Sequence, residues 1–295
     1  MSDDSTPTER KQAPKPHPDW FWSVSGGIDS TAAFLLTRDI FENFSKRPVM
    51  VYFDTTIGVP LNRLYLEELA DTYGEQLWTM RTDESFNEWV ETDDCPGGGA
   101  HRNVRNELKG RQSSKLNTLA DNPVHVIGLR AGESENRARF RKVEQKRRHV
   151  DVYPVHRLTR RDCARIILEH EECPINPFWI WPALFSDCGC LCNGDPSELD
   201  AVEAKFPWFA QRLREIEESA EADGLRGTLG WDGLTATEQS AVRAGQEQMT
   251  LCSDGCQRER DPVVVQAFRA RIHGATADES IVILDGNAEP QAVVA

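Results

Sequence analysis

The chain has 295 residues and 39% hydrophobic content, enough for one large α/β domain with appendages. Its formal net charge of −14 and pI near 5.0 disfavour a general nucleic-acid coat, although a local basic patch can still act within an acidic surface. It has no run of 18 apolar residues and no apolar signal segment, so a soluble cytoplasmic protein without membrane contact is expected, and eight cysteines then argue for metal binding or redox work rather than a disulfide framework.

Met1 to Pro18 is polar and proline-rich and reads as a disordered leader. Trp20, Phe21, Trp22 and Val24 form an apolar run that suits a buried strand; Ser25-Gly26-Gly27 breaks it, and Ser30 to Leu36 restarts as a helix. A glycine pair at a strand-to-helix turn lets backbone approach a ligand, and the free N–H groups and positive dipole end of the new helix favour an anion. The hydroxyls of Ser25, Ser30 and Thr31 add donors, so a phosphate chain is the expected ligand. No Lys-Ser/Thr pair closes the loop and no G-x-G-x-x-G occurs, which excludes the loops of GTPases and dinucleotide enzymes. Ser25-Gly26-Gly27-Ile28-Asp29-Ser30 instead resembles the SGGxDS pyrophosphate loop of the adenine-nucleotide alpha-hydrolase superfamily. That superfamily includes ATP pyrophosphatases, thiolation enzymes and the phosphoadenylyl-sulfate (PAPS) reductase family. The resemblance implies that Ser25, Gly26, Gly27, Asp29 and Ser30 hold an adenine nucleotide, with Asp29 near a magnesium ion.

A second strand, Pro48 to Phe53, ends at Asp54-Thr55-Thr56, where ligands of open parallel sheets bind. Asp54-Thr55 resembles the Asp-Thr pair that the family places near the nucleotide; a turn or helix-capping aspartate is the alternative. Leu61 to Tyr73 has helical spacing and Gln76 to Met80 is a third strand. This alternation implies an α/β fold with a parallel twisted sheet and helices on both faces, Rossmann-like in outline. After the Cys95-Pro96-Gly97 loop, His101, Arg105 and Lys109 share one helix face. A solvated face is one reading; the resemblance offers another, in which Lys109 reaches the phosphates.

Val124 to Arg130 is the next strand and leads into Gly132-Glu133-Ser134-Glu135-Asn136-Arg137. G-x-R-x-x-E-S-x-x-R resembles the segment that PAPS reductase relatives place across the pocket from the loop, implying nucleotide contacts from Gly128, Arg130, Glu133, Ser134 and Arg137. The planar fork of arginine suits phosphate or sulfate, so Arg130 and Arg137 are anion-clamp candidates, while Glu133 would orient an arginine or coordinate magnesium. The basic stretch Arg137 to Arg148 could steer tRNA or DNA, form a solvated hairpin, or clamp an extra phosphate. Val152 to Val155 reads as a last short strand and Thr159 as the cap of a helix from Arg160 to His170. The Tyr-Pro-Val, Leu-Thr and Asn176-Pro177 succession resembles the family pattern, with Leu158 where tryptophan is usual; Cys163 and Cys173 read as structural thiols.

Cys188-Gly189-Cys190-Leu191-Cys192 and Cys252-Ser253-Asp254-Gly255-Cys256 suit thiolate ligation of zinc or an iron-sulfur cluster, with Cys188, Cys192, Cys252 and Cys256 as the expected ligands. Between them, Glu198 to Asp223 has helical periodicity interrupted at Pro207. The expected organisation is a leader (1–18), a PAPS reductase-like nucleotide domain (19–180), a helical cysteine-bearing extension (181–272) and a polar tail (273–295). The family divides by chemistry. Reductases attack an adenylyl sulfate with a cysteine on a Glu-Cys-Gly segment, which does not occur within these residues. Other members cleave ATP into an adenylate and pyrophosphate for sulfur transfer. The expected reaction is the latter, with Asp29, Lys109 and Arg130 as catalytic residues, magnesium, and a sulfur donor or thioredoxin-like partner. A sulfonucleotide reductase and a non-catalytic nucleotide sensor or partner subunit are the alternatives.

Overall fold

The computed structural model describes residues 19–41, 47–82, 85, 88, 106–180, 203–222 and 261–285. Strands β1 (Trp20–Ser23), β2 (Val49–Asp54), β3 (Leu77–Arg81), β4 (Val124–Ile127), β5 (Val143–Gln145) and β6 (Val150–Val152) form one sheet in the order β3-β2-β1-β4-β6-β5. All neighbours run parallel except β5, which closes the edge antiparallel to β6. The apolar runs of β1 and β2 supply both faces of the sheet. Phe21, Val49 and Val51 pack on one side with Leu116, whereas Trp22, Met50 and Tyr52 enter the larger core on the other. Strands covered on both sides read as unbroken apolar runs rather than as polar alternation.

Helices α1 (Ile28–Arg38) and α2 (Pro60–Tyr73) cover the larger core, and α3 (Arg111–Leu116) covers the other face. The short α4 (Glu135–Ala138) precedes the β5–β6 hairpin, and α5 (Arg160–Glu169) packs on α1. Helices α6 (Pro207–Ala222), α7 (Pro262–Ile272) and α8 (Ala277–Leu284) follow. Their boundaries have local causes. Pro60 opens α2 and Gly74, at φ 65°, ends it; Thr159 and Asp162 form a reciprocal capping box at α5. From β1 the chain steps outward through β2 and β3, then returns to the opposite side of β1 as β4. The switch point therefore lies between β1 and β4, where ligands of open α/β sheets bind at the carboxyl ends of the strands.

Four local expectations change. Pairing of the fourth strand stops at Ile127 rather than Arg130. The last parallel strand is Val150–Val152, because Pro154 cannot donate and His156 N closes a turn on Tyr153 O at 3.2 Å. Lys109 lies in a π-helical turn, Asn106–Gly110, rather than a regular helix. In the stretch read as a polar tail, Thr276 and Glu279 form a capping box that starts α8, whose Leu284 is buried. Helix α7, assigned from sequence to the extension, places Val264, Ala267 and Phe268 in the same core as Trp22 and Phe34. The cysteine-bearing part of that extension lies outside the described residues.

Candidate functional site

The turn between β1 and α1 is held from behind by three buried side chains. Gly26 adopts φ +75°, and a Cβ there would overlap the Asn62 side chain. Asn62 Nδ2 donates to Ser25 O at 2.9 Å. Asn176 Nδ2 donates to Gly26 O at 2.9 Å and to Asn62 Oδ1 at 3.0 Å, and Trp179 Nε1 donates to Gly26 O at 2.9 Å. A trans peptide sets its carbonyl and the following N–H on opposite sides. Anchoring the carbonyls of Ser25 and Gly26 into the protein therefore turns the N–H groups of Gly26 and Gly27 the other way. Ser30 Oγ donates to Gly27 O at 3.0 Å and accepts from Ser25 N at 3.2 Å, closing the loop on itself. Gly27 caps α1 without any side-chain hydrogen bond, so the first-turn N–H groups are not satisfied by a capping side chain.

Opposite the loop, acidic and basic side chains alternate in one chain. Arg130 Nε donates to Asp29 Oδ1 at 2.8 Å, its Nη2 lies 4.0 Å from Glu133 Oε1, and Glu133 is bonded in turn to Arg137 Nη1. Arg130 is only 2% exposed. Burial opposes its charge, yet the adjoining Asp29 and Glu133 carboxylates outweigh that and raise its pKa. Burial, reinforced by Asp29, pushes Glu133 above the ordinary carboxylate range against the pull of Arg137 and Arg130. Arg130 is thus an internal link, and Arg137 is the more exposed guanidinium at the end of the chain. Gly128 lies against α1 so closely that a Cβ would overlap the backbone of Asp29 and Ser30. Its requirement here is packing between β4 and the loop helix. Ser134 caps α4 by accepting from Arg137 N at 3.1 Å.

Asp54 stands at the carboxyl end of β2 as expected, with its carboxylate in a turn and an ion pair. Oδ1 accepts from Thr56 N at 2.8 Å, and Oδ2 accepts from Arg81 Nε at 3.1 Å and Nη2 at 2.5 Å. Thr56 takes a positive φ of 63°, and its carbonyl accepts from Arg212 of α6 at 3.1 Å. The π-helical turn that carries Lys109 packs on β2. The structure thus brings together Ser25, Gly26, Gly27, Asp29, Ser30, Gly128, Arg130, Glu133 and Arg137; Asp54 sits two strands away from β4. Cys163 and Cys173 are buried free thiols; burial raises both, Cys173 to about 12. His101, Arg105, Cys95, Cys188, Cys190, Cys192, Cys252 and Cys256 lie outside the described residues.

Among the described residues, no group of three His, Cys, Asp or Glu side chains could hold a metal ion. Asp29 Oδ1 is engaged by Arg130 at 2.8 Å. Asn62 and Trp179 were not anticipated from sequence. The available signal was an asparagine on the helical face that buries Tyr65, Leu66 and Leu69.

The family profile of the phosphoadenosine phosphosulfate reductase domain matches residues 19–195. No curated protein matches the chain. Among solved structures, it is similar to a phosphoadenylyl-sulfate (PAPS) reductase from Candida auris in a phosphate complex. That match has 12% sequence identity, a TM-score of 0.43, and covers 58% of this chain and 82% of the other.

Proposed function

The chain belongs to the phosphoadenosine phosphosulfate reductase family, and from that premise we propose an enzyme that grips an adenine nucleotide by its phosphates and cleaves ATP between the α and β phosphates. The observation that carries the reading is the clamp on the Ser25 and Gly26 carbonyls, which presents backbone N–H groups and the start of α1 at the β1–β4 switch point. An acceptor oxygen attacks the α-phosphorus, the bond to the bridging oxygen breaks, and pyrophosphate leaves with that electron pair. Loop N–H groups receive the growing charge, and Arg137 is the cation placed to follow it. Arg130 acts indirectly, fixing Asp29 and Glu133. A sulfide-level nucleophile, a thiolate or hydrosulfide, then attacks the activated acceptor, forming the bond to sulfur as the bond to the AMP oxygen breaks and AMP leaves with that electron pair. Magnesium would arrive with the nucleotide phosphates, and no step is assigned to protein-held metal. The reducing cytoplasm is the setting consistent with free Cys163 and Cys173. No helix among the described residues is long and apolar enough to cross a membrane.

The second reading is a sulfonucleotide reductase, favoured by the family name itself. Reduction needs an exposed, low-pKa thiolate. Both cysteines within the described residues, Cys163 and Cys173, are buried and raised, so neither is placed to serve as that thiolate. Incubating reduced, anaerobically purified protein with ATP, PAPS and adenylyl sulfate in separate reactions tests the choice. AMP and pyrophosphate from ATP are expected. Sulfite from PAPS with thioredoxin as reductant would replace this reading with the reductase, and binding without turnover would indicate a nucleotide sensor or partner subunit.

A further inference from the structure

Residues 137–148 carry seven Lys or Arg side chains and one carboxylate, Glu144, within a chain of formal net charge −14. Two of the cations are engaged: Arg137 with Glu133, and Lys146 with Glu144 at 3.5 Å and over the Phe140 ring at 5.3 Å. Arg139, Arg141, Lys142, Arg147 and Arg148 are exposed, and no ion pair forms on them among the described residues. The sheet fixes where they stand. Val143 lies opposite Val152 and Gln145 opposite Val150, and β6 runs parallel to β4. Arg139, Arg141 and Lys142 therefore stand on the carboxyl-end side, next to the site that Arg137 closes, whereas Arg147 and Arg148 occupy the turn at the other end of the edge. At about 3.3 Å per residue, Lys142 and Arg147 are up to roughly 17 Å apart, a reach that suits a repeating phosphate backbone better than one mononucleotide.

We propose that the β5–β6 hairpin is a docking track for the sugar-phosphate backbone of a nucleic acid, leading it to the rim of the nucleotide site. Binding to the track stands on the hairpin alone; its use in presenting an acceptor rests on the reading above. Charged edge strands also prevent edge-to-edge pairing, but Arg139, Arg141, Lys142, Arg147 and Arg148 all lie outside the paired residues of β5. A bilayer-surface element would bury an apolar face, whereas Val143 is the exposed large hydrophobic residue of this hairpin. The hairpin's aromatic side chain, Phe140, packs against Tyr153 and Lys146, so binding should be insensitive to sequence and sensitive to salt.

The test is fluorescence anisotropy of the full chain with labelled duplex DNA and with tRNA across a salt series, using Arg141→Glu/Lys142→Glu/Arg147→Glu/Arg148→Glu alongside the parent. The parent should bind at low salt. The variant should bind at least about tenfold more weakly, with a log–log salt slope shallower by roughly 3 units and unchanged ATP affinity. A Gly26→Ala variant should lose ATP and keep nucleic acid, so that failure of the nucleotide reading and failure of the track are separately visible. Absence of binding at low salt would overturn the track. So would equal affinity of the hairpin variant, aggregation of that variant without loss of nucleic-acid affinity, or charge-dependent binding to phosphatidylserine vesicles in place of nucleic acid.

Discussion

At Gly128, strand β4 touches the first turn of α1 with no side chain between them. An added methyl group would meet the backbone of Asp29 and Ser30, which cannot rotate away as a side chain could. Gly128→Ala should therefore destabilise the fold by about 1–3 kcal/mol in urea titration and weaken ATP binding at temperatures where it remains folded. Retention of both would mean that α1 shifts freely. Arg130 makes a second residue-scale prediction. Its Nε is committed to Asp29 and its fork lies toward Glu133, a geometry that a lysine ammonium cannot reproduce. Arg130→Lys and Arg130→Ala should both lower turnover at least about tenfold, with hydrogen bonds to charged groups typically worth about 1.5–3 kcal/mol each. Recovery of most activity in the lysine variant would reduce Arg130 to a source of positive field.

The pairing of β4 with β6 produces a pH response. His125 is buried, its Nε2 lies 2.7 Å from Asn117 Oδ1, Asp151 faces it in register, and the His149 ring is 5.1 Å away. Burial, then the neighbouring His149, lower His125 to about 4 from the ordinary 6.5. The folded state keeps it neutral while the unfolded chain accepts a proton near 6.5. The stability this provides is complete above that value and is lost as pH falls toward about 4. His125→Gln should flatten the difference in urea midpoint between about pH 7 and about pH 5, and an unchanged difference would remove burial as the cause. At the same scale, the elements easiest to read were those with strong period and punctuation. The apolar run of β2 and the Pro60-to-Gly74 span of α2 carry their own start and stop signals. β5, with only three residues and Val143 exposed, has neither, because an edge strand buries too little to leave a pattern.

Across the whole molecule, the C-terminal helices are coupled to the turn between β1 and α1. Phe268 of α7 packs on Trp179 with ring centroids 4.9 Å apart, and Trp179 donates to Gly26 O. Phe268→Ala should cost about 3–5 kcal/mol of stability and also weaken nucleotide binding, because the cavity frees the indole that holds the loop. Calorimetric titration with ATP below the variant's unfolding transition checks the second effect. Full ATP affinity there would show that Asn176 alone fixes the Gly26 carbonyl.

By itself the sequence determined the strand-loop-helix around Ser25 to Ser30 and the alternation that makes a parallel sheet. Each of these is local, written in periodicity, glycine placement and short motifs. Tertiary structure alone decided that Arg130, 101 residues from Asp29, spends its Nε on that carboxylate. It also decided that Asn62 of α2, and Asn176 and Trp179 of one later segment, converge on two carbonyls, and that α7 and α8 pack into the core that holds Trp22 and Phe34. Such pairings depend on which buried polar atoms meet when both faces of the sheet are covered. No one-dimensional pattern encodes that, because an unpaired buried donor or acceptor is costly and finds its partner in space rather than along the chain.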